Sequence, residues 1–198
     1  MRHLQAARGT PLTHPAADPA DPPGAEPRDT ATRTRRPQAA LALTALAIVA
    51  ADVGTKVWAV SRLSDDEIRL FGGLVVLHEQ RNPGAAFSLG GSATVLFSLV
   101  AIGIAAVIIR TARTLRSTAW ALALGLILGG AVGNLVDRLL RDPGPLRGHV
   151  VDFIDLHWNG RSVWPVFNVA DMAIVSGAAL ALLLSWRAVP LGDGDTEA

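Results

Sequence analysis

Four long apolar runs dominate this chain, at residues 38–60, 92–109, 118–136 and 164–186. Each approaches the roughly 20 residues that a helix needs to cross the hydrocarbon core of a bilayer. Lipid offers no partner to an open backbone N–H or C=O, so a spanning run must close its hydrogen bonds within a helix. The runs predict an all-α integral membrane protein with four transmembrane helices. Charged residues make up 18% of the chain, below the roughly 25% of a soluble domain, which excludes an ordinary soluble enzyme. Trp58, Trp120, Trp164 and Trp186 fall near run ends, where amphipathic rings prefer the membrane interface. Arg35-Arg36 and Ala45-Leu46-Ala47 imitate a cleaved secretory leader, but the first run exceeds the roughly 7–15 apolar residues of a leader core.

Outside the runs the chain reads differently. Residues 1–37 carry seven of the twelve prolines and no apolar periodicity, so they are expected to be a disordered tail. A membrane domain is expected over 38–187 and a second short tail over 188–198. The link between the second and third runs holds Arg110, Arg113 and Arg116 and no acid. Under the positive-inside rule this places the link and both termini in the cytoplasm. Short apolar stretches at Ile68-Arg-Leu-Phe and Leu74-Val-Val-Leu-His, punctuated by Gly72-Gly73 and Asn82-Pro-Gly, predict a small extracytoplasmic β-sheet element between residues 61 and 91.

Ionisable groups inside apolar runs are costly, by at least about 2.5 kcal/mol each, so they mark function or a specific partner. Here the polar exceptions are Asp52 and Lys56 in the first run, Asn134, Asp137 and Arg138 closing the third, and Asn168 and Asp171 in the fourth. The predicted topology puts all of them at one depth, near the outer face, where loops add Asn82, Asp152, Asp155 and His157. Several have plain structural readings. Asp52 and Lys56 are spaced for an i, i+4 ion pair, and Asp137 and Arg138 read as an interfacial helix end, with Arg138 snorkelling to headgroups. Gly125, Gly129 and Gly133 form a small-residue packing stripe. His78, His149 and His157 lack metal-ligand spacing, so no metal is expected. Gly192-Asp-Gly-Asp lacks the remaining ligands of a calcium loop and reads as solvated tail.

Asp152 and Asp171 stand apart from these. Asp152 lies between Val150-Val151 and Phe153-Ile154, and Asp171 about two turns into the fourth run with Asn168 at i−3. Two carboxylates brought together in a partly dry site cannot both ionise readily, so one holds a proton. That is the arrangement of an aspartic protease, with one base to activate water and one acid to protonate the leaving amine. Asp155 competes with Asp152 on composition alone; its Leu156–Gly160 neighbourhood reads as a hydrated loop. A small proton-coupled transporter uses similar carboxylates, although the polar layer does not continue to the cytoplasmic side.

Five stretches occur in order: Asp52-Val-Gly-Thr-Lys56, Arg81-Asn-Pro-Gly-Ala-Ala-Phe87, Gly129-Gly-Ala-Val-Gly-Asn-Leu-Val-Asp-Arg138, Val150-Val-Asp-Phe153 and Phe167-Asn-Val-Ala-Asp171. Together they resemble the bacterial lipoprotein signal peptidases, or signal peptidase II, from about Leu41 to Trp186. The resemblance implies a multi-pass aspartyl endopeptidase of the bacterial plasma membrane, without cofactor, whose site faces the extracytoplasmic side. It implies diacylglyceryl-modified prolipoproteins as substrates, cut just before the lipidated cysteine, and inhibition by globomycin. By position, Asp152 and Asp171 match the catalytic pair. Asn82, Asn134, Arg138 and Asn168 match polar residues around the site, and Asp52 and Lys56 the first-helix pair. Membrane lipid is then the expected surrounding and no nucleic-acid partner is expected, in keeping with the net charge of +1; the chain is expected to act as a monomer. The long N-terminal tail and an enlarged turn over residues 141–147 depart from the family pattern.

Overall fold

A computed structural model describes residues 30–84 and 91–192 of the chain. Its elements run α1 (Thr30–Arg62), β1 (Ile68–Leu70), a 3-10 turn, β2 (Val75–Asn82), α2 (Gly91–Thr111), α3 (Thr118–Leu140), β3 (Val150–Trp158), β4 (Arg161–Ser162) and α4 (Val169–Trp186). All four helices are long and apolar enough to cross a membrane. Large apolar side chains such as Leu43, Leu46, Val107, Val175 and Leu182 stand exposed on them, as lipid-facing residues must. Most of the N-terminal tail, Ala85-Ala86-Phe87 and residues 193–198 lie outside the described residues.

Two helices begin elsewhere than the apolar runs suggest. α1 already starts at Thr30, inside the segment expected to be disordered, and carries Pro37 within it. Ala31, Arg33, Arg35 and Arg36 are good helix formers and continue the helix beyond its apolar part. α4 starts five residues after Trp164. Pro165 has no N–H to give, and Phe167 is held in extended backbone by exchanging hydrogen bonds with Ile154 at 3.0 and 2.9 Å. The helix then opens on Asn168, whose side chain accepts from Asp171 N while the Asp171 side chain accepts from Asn168 N, a reciprocal capping box. Asp171 therefore sits in the first turn of α4, not two turns in.

The sheet is larger than the sequence suggests. Its order is β1-β2-β3-β4, antiparallel throughout, so half its strands follow α3. β3 is buried along most of its length, and Phe153 packs edge-on against Trp58 of α1, ring centres 6.5 Å apart. With Ala59 and Leu63 it forms the apolar joint between the end of α1 and the sheet. The turn after α3 is compact: Gly148 N and His149 N bond back to Arg138 O and Asp142 O, each at 3.1 Å. At the far end, residues 188–192 fold back toward the start of α3. Trp120 Nε1 donates to Val189 O at 2.8 Å, and Arg116 N to Leu191 O at 3.1 Å.

Glycines bring the helices together. A Cβ on Gly125 would stand 2.9 Å from Leu41 O, one on Gly129 2.8 Å from Ala45 O, and one on Gly133 2.6 Å from Asp52 Oδ2. The stripe faces α1 along three turns, the close backbone approach that small residues permit in membranes. Gly129→Ala is therefore expected to destabilise the protein by about 1–3 kcal/mol through overpacking. Gly103→Ala in α2, where nothing lies within 4 Å, should be neutral or slightly stabilising. Thermal unfolding in detergent compares the two; equal melting temperatures would contradict the packing.

Candidate active site

Lys56 is the centre of the polar layer. Its side chain is 1% exposed, and its ammonium reaches Asp52 Oδ2 at 2.7 Å, Asp137 Oδ2 at 2.9 Å and Asn134 Oδ1 at 2.9 Å. Two carboxylates and one amide oxygen thus surround the ammonium. The i, i+4 pair is thus real but incomplete as a description, because Asp137 of α3 is the second counter-charge. Asp137 also accepts from Val151 N at 3.2 Å and from Arg141 Nε, joining α3 to the start of β3. Asp52 Oδ1 accepts from Ala170 N at 2.9 Å, tying α1 to the first turn of α4. Arg138 does not snorkel. It is buried, lies over the Phe97 ring at 5.9 Å, and donates to Gly148 O at 3.4 Å.

The two singled-out carboxylates meet in one hydrogen-bonded network. Asp152 Oδ1 accepts from Asn168 Nδ2 at 2.6 Å and its Oδ2 from Asn82 Nδ2 at 2.9 Å. Asp171 Oδ1 accepts from Asn134 Nδ2 at 2.8 Å and its Oδ2 from Asn168 N at 3.2 Å. Asn168 therefore touches both acids, and its Nδ2 also donates to Asn134 Oδ1 at 3.1 Å. With Lys56 and Asn168 both donating to Asn134 Oδ1, its amide is oriented so that Nδ2 must point to Asp171. Asn82 is itself fixed at the end of β2, where its Oδ1 accepts from Gly84 N at 2.8 Å.

The acids differ in surroundings. Asp152 is 2% exposed. Burial pushes its carboxyl up to about 6; the Asn82 and Asn168 hydrogen bonds and Lys56 pull it down, and the Asp171 charge adds to the rise. Asp171 is half-buried and lines a cavity of about 350 Å³ beside Leu156, Trp164, Phe167 and Met172. A second cavity of about 230 Å³ opens between α2, α3 and α4 at Asn134, Arg138 and Phe97. Among the described residues no group of three or more His, Asp or Glu side chains is arranged to hold a metal.

Two expectations are corrected. Asp155 is not in a hydrated loop: it lies within β3 and is 6% exposed. Burial alone would raise its carboxyl, but hydrogen bonds from Ser162, His157 and His78 outweigh it and hold the group below its ordinary value. Asp137 belongs to the site network and is more than an interfacial helix end. Its signal in the sequence was spacing: Asn134, Asp137 and Arg138 share one face of α3 at i, i+3 and i+4.

Comparison with known proteins agrees with this geometry. Residues 44–187 match the family model described as signal peptidase (SPase) II. The chain is 48% identical over 166 residues to the lipoprotein signal peptidase of Rhodococcus jostii (strain RHA1), covering 83% of this chain and 80% of that one. It is 46% identical over 177 residues to the lipoprotein signal peptidase of Mycolicibacterium smegmatis, covering 88% and 73%. A solved bacterial membrane enzyme, determined by the in meso method at 1.9 Å resolution, superposes with a TM-score of 0.64 at 26% identity, over 73% of this chain and 91% of that one. The transporter reading gains no support from these relatives. Four helices able to cross a membrane, a four-stranded sheet at one end and these likenesses lead to one assignment: the chain is a multi-pass membrane protein that belongs to the signal peptidase II family.

Proposed function

We propose that the chain is an aspartyl endopeptidase that removes signal peptides from diacylglyceryl-modified prolipoproteins, cutting before the lipidated cysteine, with Asp152 and Asp171 as the reacting pair. The observation that carries this reading is Asn168, which donates to both carboxylates from one side chain and its own backbone. Asp171, on the cavity, takes a proton from water, and the water oxygen attacks the scissile carbonyl carbon. Asp152, whose burial favours the protonated form, gives its proton to the leaving amide nitrogen. Asn134 and Asn168 orient the pair, Asn82 steadies Asp152, and Arg138 stands ready for substrate carbonyls. Lys56 and Asp52 hold the scaffold beneath them. No metal enters the scheme.

The topology follows from charge. The basic link after α2 and both termini lie in the cytoplasm, which puts the sheet and the pair at the extracytoplasmic face. A substrate held there by two acyl chains in the outer leaflet presents its cleavage site at the depth of the pair, and anchoring supplies high effective concentration. The protein works as a monomer and is blocked by globomycin.

If Asp152 must carry a proton, kcat/KM should fall as pH rises through about 6, and Asn82→Ala should move that limb upward, since the lost hydrogen bond had favoured the ionised form. A profile flat from pH 5 to 8 would contradict the role. The function itself is tested in bacterial cells depleted of their own signal peptidase II. Expression of this chain should convert accumulated prolipoprotein to the mature form, and globomycin should stop it. Continued accumulation despite normal insertion of the chain would overturn the reading.

A further inference from the structure

Asp155 is three residues from Asp152, and strand alternation sets the two on opposite faces of β3. Its Oδ2 meets His78 Nε2 at 3.3 Å and His157 Nε2 at 2.8 Å, and its Oδ1 accepts from Ser162 Oγ at 2.6 Å. One buried carboxylate thus joins β2, β3 and β4. The register between β2 and β3 shows what this junction holds. Val76 pairs with Asp155 and Leu77 with Ile154, but Gln80 pairs with Asp152. β2 takes three steps where β3 takes two, so the His78–Glu79 stretch carries one extra residue, a β-bulge.

The bulge decides where Asn82 points. Val76 and His78 share the face of Asp155, and in an unbroken ladder Gln80 and Asn82 would follow them there, away from Asp152. The extra residue brings them round to the Asp152 face instead, and Asn82 Nδ2 donates to Asp152 Oδ2 at 2.9 Å. Glu79, beside His78, accepts from Ser64 Oγ, outside the sheet, at 2.9 Å and from Arg81 Nε of its own strand at 2.8 Å. We propose that the Asp155–His78 contact is a register clamp that fixes the bulge in β2 and so positions Asn82 on Asp152. Asp155 and His78 are then positioning residues for the reaction, a role that rests on reading Asp152 as one of the reacting pair.

His78→Leu and Asp155→Ala each remove the contact, and the first leaves Asp155 its His157 and Ser162 partners should the second fold poorly. Each should lower kcat about tenfold with KM within about twofold, since the defect is one of alignment. Each should also move the alkaline limb of the pH profile upward, as Asn82→Ala does, because Lys56 of α1, Arg138 of α3 and Asp171 of α4 still face Asp152 unchanged. Combined with Asn82→Ala, neither variant should lower kcat further, because both act through Asn82. Independent, multiplying losses or an unmoved pH profile would overturn the clamp. If the wild-type protein leaves a diacylglyceryl peptide uncut, the reading of the pair fails, and amide exchange judges the clamp alone. His78→Leu must then speed exchange over residues 79–82, and unchanged protection there would refute it.

Discussion

Asp152→Asn and Asp171→Asn should each lower cleavage of a lipidated substrate by at least about 10³-fold while leaving insertion and folding largely intact, because each removes one partner of a proton exchange. Asparagine keeps the size of the carboxyl and one accepting oxygen. At position 152 its amide would face two donors, Asn82 Nδ2 and Asn168 Nδ2, and at position 171 it can no longer take a proton from water. The double variant should be no slower than either single one, since the two act as a unit. Asp155→Asn should stay within about tenfold of the wild type, because it affects only alignment. Rates at matched folded-protein level check all four. An inactive Asp155→Asn beside an active Asp152→Asn would reverse the assignment.

Lys56→Met carries the largest expected effect on stability. It removes the shared counter-charge of Asp52 and Asp137, whose side chains are 0% and 4% exposed. Breaking a buried ion pair in this way typically costs about 3–5 kcal/mol, because the remaining carboxylate is left uncompensated. Here Asp52 loses its cationic partner, while Asp137 keeps Arg141. Asn134 Oδ1 also loses one of the donors that turn its Nδ2 toward Asp171, so any protein that does fold should be slow. Lys56→Arg should rescue poorly, since a planar fork does not reproduce three converging contacts of a point charge. Adding Asp52→Asn to Lys56→Met should recover part of the lost stability by removing one unpaired charge. Thermal unfolding of the three variants in detergent is the check; a melting temperature unchanged in Lys56→Met would show that Lys56 is not the centre of the layer.

The helices and the site residues were legible for one physical reason: a charge or amide inside an apolar run stands out. Asp52, Lys56, Asn134, Arg138, Asn168 and Asp171 all announced themselves this way, and the structure gathers them at one end of the bundle. The sheet was less legible. β3 is buried on both faces over its first four residues, so Val150–Phe153 shows no alternation and reads as an interfacial stretch. The start of α4 was misplaced because Trp164–Phe167 continues the apolar run, although Asn168 with Asp171 three residues on is a capping-box pattern that marks the true N-terminus. The environment of Asp155 was illegible because its partner His78 lies 77 residues away, and only the pairing of β2 with β3 brings them together.

The central claim is that this chain, without a metal, cuts a lipidated prolipoprotein before its cysteine. Purified protein should be incubated with a diacylglyceryl-modified lipobox peptide and its unmodified twin, in the presence of a metal chelator, and the products weighed by mass spectrometry. The account predicts one cut, immediately before the modified cysteine, unaffected by chelator and abolished by globomycin, with the unmodified twin left largely intact. An uncut lipidated peptide in every detergent that keeps the protein folded would contradict it, as would a cut elsewhere.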